Sequence, residues 1–175
     1  MYRDAIILAG AFCKMCLLKR RPQDLPASRE LLLLTIAIYF LLDLLLAKLD
    51  ENITSALTAA LTDTVFLLVF TLVLLLLCRK AGRWTQTVTA LAGTGVVFAL
   101  LLMPAVISLS GPDAMTAMQQ ALSVLLYLVL IWYVVVLGHI FRHALSSPFA
   151  MGVFVSMIYL LIGVFIELTL VYPDS

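Results

Sequence analysis

The chain has 175 residues, 64% of them hydrophobic and 12% charged, with a formal net charge of +1 and a mean hydropathy of +1.15. A soluble domain is about half apolar and a quarter charged, so this composition excludes a soluble globular protein, and a net charge this small excludes a global field that would attract nucleic acid. The three cysteines, an odd number placed near the cytoplasmic ends of the expected helices, argue against a disulfide framework and read as reduced thiols.

Residues 1–29 read as a cytoplasmic segment ahead of the membrane domain. Arg3 and Asp4 precede an apolar run of only nine residues and a basic cluster follows it, which is not the layout of a secretory signal. Leu8-Ala9-Gly10 approaches a lipoprotein cleavage motif, but Cys13 stands two residues too late. On a helical wheel Tyr2, Ala5, Ile6, Leu8, Ala9, Phe12, Cys13, Cys16 and Leu17 share one broad face with Arg3 and Lys14 opposite. That pattern predicts an amphipathic helix lying in the membrane interface and ended before Pro22. Lys19, Arg20 and Arg21 are placed to meet anionic head groups, and serve equally as a topology signal.

Five apolar stretches follow, at 30–49, 63–78, 84–110, 118–141 and 149–171. A hydrocarbon core of roughly 30 Å takes about 20 helical residues, and only helices or closed barrels satisfy every backbone group in lipid. These runs lack the alternation of barrel strands. The expected fold is therefore all-α, a polytopic bundle of five transmembrane helices over 30–175 with the N-terminal amphipathic helix at its edge. Residues 50–62, carrying Asp50, Glu51 and Asn52, are expected to be a connection, and Gly111-Pro112-Asp113 a tight turn. Ten of the eleven Lys and Arg residues fall before the first stretch, between the second and third, or between the fourth and fifth, leaving Lys48 alone on the other side with Asp50, Glu51, Asp113 and Asp174. This sorting predicts an inside N-terminus and an outside C-terminus.

The third stretch is rich in small residues. Thr85, Thr87, Thr89, Ala90, Ala92, Gly93, Thr94, Gly95 and Ala99 let neighbouring backbones approach closely, so this is expected to be the central packed helix. Pro104 is expected to loosen or kink its outer end.

Carboxylates in hydrocarbon cost a few kcal/mol and point to function by default. Asp63 is expected to open its span and Glu167 nearly to end its own, both within reach of water. Asp43 lies 14 residues past Arg29, roughly 21 Å along a helix, inside the outer third. One expectation is that Asp43, Asp63 and Glu167 converge, with Ser108, Ser110 and Gln119, on an outward-facing cavity that binds a cation or proton; the bland alternative is that they mark helix ends. On the cytoplasmic side Cys13 and Cys16 form a C-x-x-C, Cys78 ends the second span, and His139 and His143 stand at i and i+4. Such a mixed set suits zinc or iron; otherwise the cysteines are packing residues or acylation sites. No hydrolase or metalloprotease motif and no repeat is present, Gly93-Thr94-Gly95 lacks the context of a phosphate loop, and Asn52-Ile53-Thr54 is a sequon common by chance. The chain is expected not to be an enzyme and to need no cofactor.

The layout, with Gly82-Arg83-Trp84 leading to Ala92-Gly93-Thr94-Gly95, and Leu126-Tyr127-Leu128 running through Gly138-His139 to His143-Ala144-Leu145-Ser146, resembles the Ypt-interacting (Yip) family of five-span membrane proteins and its bacterial relatives over about Pro26 to Val171. The eukaryotic family's acidic-Tyr-Gly-Pro motif is replaced by Gln23-Asp24-Leu25-Pro26, so no Rab-binding role is implied. The resemblance implies five spans and a non-catalytic part in membrane organisation, and transfers no functional residue. The leading expectation is accordingly a non-enzymatic protein of a bacterial inner membrane. Its partners would be the lipid bilayer and other membrane proteins or a second copy, met through the N-terminal helix and the Ala92, Gly93, Gly95 and Ala99 face. The rivals are a small proton or cation transporter using the carboxylates, and a Cys/His metal or redox module.

Overall fold

The computed structural model describes residues 2–48, 52–109 and 117–170, with side chains described from residue 8 onward. Six α-helices and no strand occur among the described residues: α1 (Tyr2–Cys16), α2 (Arg29–Ala47), α3 (Ile53–Leu77), α4 (Trp84–Leu109), α5 (Ala117–Leu145) and α6 (Phe149–Leu170). From α2 onward all five are long and apolar enough to cross a membrane. The expected all-α five-helix bundle is present, and the protein is an integral membrane protein by the character of these helices. Its surface is that of a bundle in lipid: Leu77, Leu161 and Phe165 are 78%, 69% and 69% exposed, which water would penalise at about 25 cal/mol per Å².

Helix α4 is the central element expected from its composition. Every residue from Thr87 to Gly95 is buried, and α4 touches α1, α2, α3 and α5. Its threonines do not need outside partners, because Thr87, Thr89 and Thr94 donate back to the carbonyls of Arg83, Thr85 and Ala90 at 2.7 to 2.8 Å, the usual solution for hydroxyls on a buried helix. The helix continues through Pro104 to Leu109. Gly93 and Gly95 are both notches: a Cβ on Gly93 would collide with the ring of Phe12 from α1, and one on Gly95 would stand 2.7 Å from the ring of Tyr39 on α2. Two spans also approach closely elsewhere, at a pair the composition did not single out. A Cβ on Gly152 of α6 would run into the Gly138 carbonyl and the Arg142 backbone of α5.

Two expectations are corrected. The stretch 50–62 is not a connection throughout, since α3 begins at Ile53 with Asn52 as its cap; the Asn52 Oδ1 accepts from the N–H groups of Thr54 and Ser55 at 3.0 and 3.1 Å. The Ser and Thr residues that read as loop are compatible with helix because Thr58 donates to the Thr54 carbonyl at 2.9 Å. The N-terminal helix does not simply rest its apolar arc on the interface. Ala11, Met15 and Cys16 are buried, Phe12 fills the Gly93 notch, and the Cys16 carbonyl accepts from the Trp132 indole at 3.0 Å. Gln23 meets His143, Arg20 meets His139 and Cys16 meets Trp132, so the chain runs from the end of α5 toward its middle. At 15 residues, about 22 Å long, α1 is too short to cross. The side chains of Tyr2, Arg3, Ala5 and Ile6, the acidic residues Asp50, Glu51, Asp113 and Asp174, and the turn Gly111-Pro112-Asp113 lie outside the described residues.

Three helices end at the same basic end of the bundle with the same device. Leu18, Arg79 and Ser146 have φ of 59°, 56° and 48°, the left-handed region normally given to glycine. In each case the next N–H reaches back five residues, from Lys19 to Lys14, Lys80 to Leu75 and Ser147 to Arg142, which is the Schellman closure.

Candidate functional site

Two ionisable side chains inside the bundle, Tyr39 and Asp63, meet near the middle of α2 and α3. Tyr39 stands ten residues after Arg29 in α2, and Asp63 ten residues after Ile53 in α3, about 15 Å along each axis. The Tyr39 hydroxyl donates to the Asp63 carboxyl. Asp63 is therefore not at the start of its span: the earlier beginning of α3 carries it well into the helix, where an ionised carboxylate is costly. One turn beyond Tyr39, on the same face of α2, half-buried Asp43 lines a cavity of about 210 Å³ between α2, α4 and α5 together with Tyr39, Gly95, Ala99 and Tyr133. Apolar side chains, among them Leu42, Leu46, Leu102 and Leu130, complete its wall.

Glu167, three residues before the end of α6, is exposed and shares a different, smaller cleft with Asp63, Thr62 and Gly163. That cleft measures about 20 Å³, enough for one water. The three carboxylates thus lie within Coulombic reach of one another but in two compartments, with no lining residue in common. Tyr39 joins them, its ring in the Asp43 cavity and its hydroxyl on Asp63. Ser108 and Gln119 line neither compartment; Gln119 donates to the Ser108 carbonyl at 3.1 Å, and Ser110 lies outside the described residues.

Sequence reasoning that weighed only formal charges missed the tyrosines. Tyr133 is packed at 4.9 Å from the ring of Phe98, and Tyr159 is 5% exposed, stacked on Phe66 at 5.0 Å and edge-on to Phe70 at 5.2 Å. All three tyrosines fall near the midpoints of their helices. That placement was readable, as was the i, i+4 spacing of Tyr39 and Asp43.

Compared with known proteins, the chain matches no family model, no curated protein and no solved structure.

The basic end holds the cysteines and histidines. Cys16 is buried, and burial pushes its thiol up to about 11, so at neutral pH it is a protonated packing group with little nucleophilic character. Cys13 is exposed and opens onto an apolar groove of about 400 Å³ between α1, α2 and α4, beside Leu8, Phe12, Leu34, Ile38 and Leu100. Cys78 caps α3 and is also exposed. His139 and His143 do meet, edge to face with ring centres 4.6 Å apart, but the His139 Nε2 is engaged with the Arg20 carbonyl at 3.1 Å. Among the described residues no three His, Cys, Asp or Glu side chains are arranged to hold a metal ion. The separation has a physical cause. Helix α1 packs on α4 and α5 while α3 packs on α2, α4 and α6, and the rotation of α1 sends Cys13 and Cys16 to different surroundings.

Other cations at this end serve backbone. Arg83 donates to the carbonyls of His143 and Ala144 at 3.2 and 3.0 Å and to the Ser146 hydroxyl at 2.7 Å, Lys80 donates to the Leu145 carbonyl, and Gln23 to that of His143 at 2.9 Å. The C-terminal carbonyls of α5, where the helix dipole is negative, are thereby satisfied by two cations, Arg83 and Lys80, and the neutral amide of Gln23. Lys19, Arg20 and Arg21 instead line a cleft against the last turns of α5.

Proposed function

We propose that this is a non-enzymatic protein of a bacterial inner membrane, with its N-terminus inside and C-terminus outside, that takes up a proton or small cation from the outer side onto Asp43 and Asp63. The observation that carries this reading is the position of Asp63, mid-helix and hydrogen-bonded by Tyr39, whose ring lines the cavity of a second carboxylate. A carboxyl at that depth is hard to explain as a helix-end marker. In this reading Asp43 receives the cation in the larger cavity, Asp63 is the inner station, and Glu167 guards the one-water cleft. The test is a flux assay on the purified protein in sealed vesicles, with a pH-sensitive dye inside and an imposed proton, sodium or potassium gradient. Wild type is expected to dissipate one of these gradients and Asp63→Asn to stop it, with Asp43→Asn slowing it. Absence of flux from folded wild-type protein, or flux indifferent to Asp63→Asn, overturns the reading.

A second reading, membrane organisation through contact with lipid or another membrane protein, is favoured by the docking of α1. Phe12 in the Gly93 notch fixes an extra helix along the bundle, and the resemblance to Yip-type proteins points the same way. If no gradient is dissipated, co-purifying membrane proteins that are lost with Phe12→Ala would support this second reading.

A further inference from the structure

We propose that the basic end of the bundle holds a binding site for the phosphate of an anionic phospholipid head group. After α1 closes with the left-handed turn at Leu18, Lys19, Arg20 and Arg21 are carried across the last turns of α5. There they form a cleft of about 350 Å³ with His139, Arg142 and His143. Among the described residues Leu18 is the only other one lining it, so its described wall contains four cations, two imidazoles and no carboxylate.

Like charges brought together this closely repel unless an anion lies among them. One carboxylate stands close by, that of Asp24, within Coulombic reach of His143, and its single charge falls well short of balancing four cations. The Asp24 carboxylate accepts from the backbone N–H of Arg21 at 3.0 Å and closes the Pro22–Asp24 turn. The α5 carbonyls that could have drawn the cations are occupied by Arg83, Lys80 and Gln23. Among the described residues Arg20 donates to the Asp24 carbonyl alone, at a long 3.3 Å, and Arg142 lies over the Phe149 ring at 5.9 Å, a contact that leaves its N–H edge for another partner. His139 ties the loop in place through the Arg20 carbonyl, so the cleft is built from two elements and held open.

The level of the cleft selects a lipid as the source of the phosphate. It sits at the ends of membrane-spanning helices, where head groups lie, and a phospholipid reaches it by lateral diffusion without leaving the bilayer. Four cations at one cleft suit a phosphate better than a single carboxylate, since guanidinium groups grip phosphate oxygens in pairs.

The site is tested with the full-length protein in phosphatidylcholine vesicles that contain a minor share of phosphatidic acid or phosphatidylglycerol. The protein is extracted in mild detergent and its retained lipids are counted by native mass spectrometry. Wild type is expected to keep an anionic lipid in preference to phosphatidylcholine. Arg21→Gln together with Arg142→Gln should lower that retention about twenty-five-fold, each charge contributing about a factor of five. Arg79→Gln, at the same end but outside the cleft, should leave it unchanged. Should Arg142→Gln prevent folding through its contact with Phe149, the exposed Arg21→Gln alone still reads the site, with about a fivefold loss. Equal retention of neutral and anionic lipid, or a loss on Arg79→Gln as large as that of the cleft variants, overturns the proposal. So does displacement of the lipid by inorganic phosphate at equal concentration, which would make the ligand a soluble anion.

Discussion

The two polar regions of this bundle treat their charges in opposite ways. At the basic end, Arg83 and Lys80 are fixed by the terminal carbonyls of α5, three Schellman closures lock helix ends, and glycine brings α5 and α6 into backbone contact. In the opposite half, carboxylates sit beside a cavity and a water-sized cleft, with one tyrosine hydroxyl as the bridge. Charge spent on backbone carbonyls gives rigidity, whereas charge placed beside space is available to a ligand. The basic cleft is the exception at its own end, because there four cations are left over after the carbonyls are satisfied.

The rigid end should break most severely at Gly152. A side chain there meets the Gly138 carbonyl and the Arg142 backbone, atoms that cannot rotate away, so α6 has to move off α5. Gly152→Val is expected to cost about 3 kcal/mol, at the upper end of overpacking effects. Gly82→Ala, with nothing within 4 Å of the new Cβ, is the matched control and should change stability by less than about 0.5 kcal/mol. Reversible unfolding in mixed micelles, followed by tryptophan fluorescence, measures both. Equal stability of the two variants would show that the α5–α6 contact is not what holds this end.

The looser half should respond to loss of its bridge. Tyr39→Phe removes the hydroxyl from Asp63 without changing the ring that fills the Gly95 notch, and is expected to cost about 1.5 kcal/mol, the worth of a hydrogen bond to a carboxyl in a poorly solvated place. Tyr159→Phe keeps the stack on Phe66 and Phe70 and is expected to cost less than half as much. If the two substitutions are equivalent, Asp63 does not depend on Tyr39. The flux assay then decides whether the bridge also carries function, since Tyr39→Phe should slow uptake more than Tyr159→Phe.

These contrasts also mark what the sequence could reveal. Apolar run length announced the five spanning helices, because lipid leaves the backbone no alternative, and the small residues from Ala90 to Gly95 announced the central place of α4. The start of α3 was hidden because Ser and Thr look like loop residues in a hydropathy reading. On a helix they satisfy themselves with back-bonds, and this one misreading placed Asp63 at a boundary instead of in the interior. The docking of α1 was half legible: the wheel showed an apolar arc, but Ala11 and Met15, which become buried, lay off it. Only the notch at Gly93 decides which side turns inward. Gly138 and Gly152 face each other across a loop, a pairing in space that no local period records. The basic cleft joins Lys19, Arg20 and Arg21, which stood out as a run, to His139 and His143, which stood out as candidate metal ligands, and to Arg142, which counted only toward the topology.

The smallest effect sharpens the account of the rigid end. Arg79 holds a φ of 56°, which for a residue with a Cβ costs roughly 1 to 2 kcal/mol, and its position at the end of α3 is exposed. Glycine would remove that cost but adds freedom to the unfolded chain worth roughly 0.5 to 1 kcal/mol, so Arg79→Gly is expected to stabilise by about 0.5 kcal/mol. Ser146 has the same backbone geometry, with φ of 48°, yet its hydroxyl accepts from Arg83 at 2.7 Å. Ser146→Gly gives up that bond, about 0.5 to 1 kcal/mol for a partly exposed contact, and should leave stability unchanged. The difference between two otherwise identical closures, read in the same unfolding experiment, isolates what Arg83 contributes through a side chain from what it contributes through the carbonyls of His143 and Ala144. A gain at Ser146 as large as that at Arg79 would mean that Arg83 acts on the end of α5 through backbone alone.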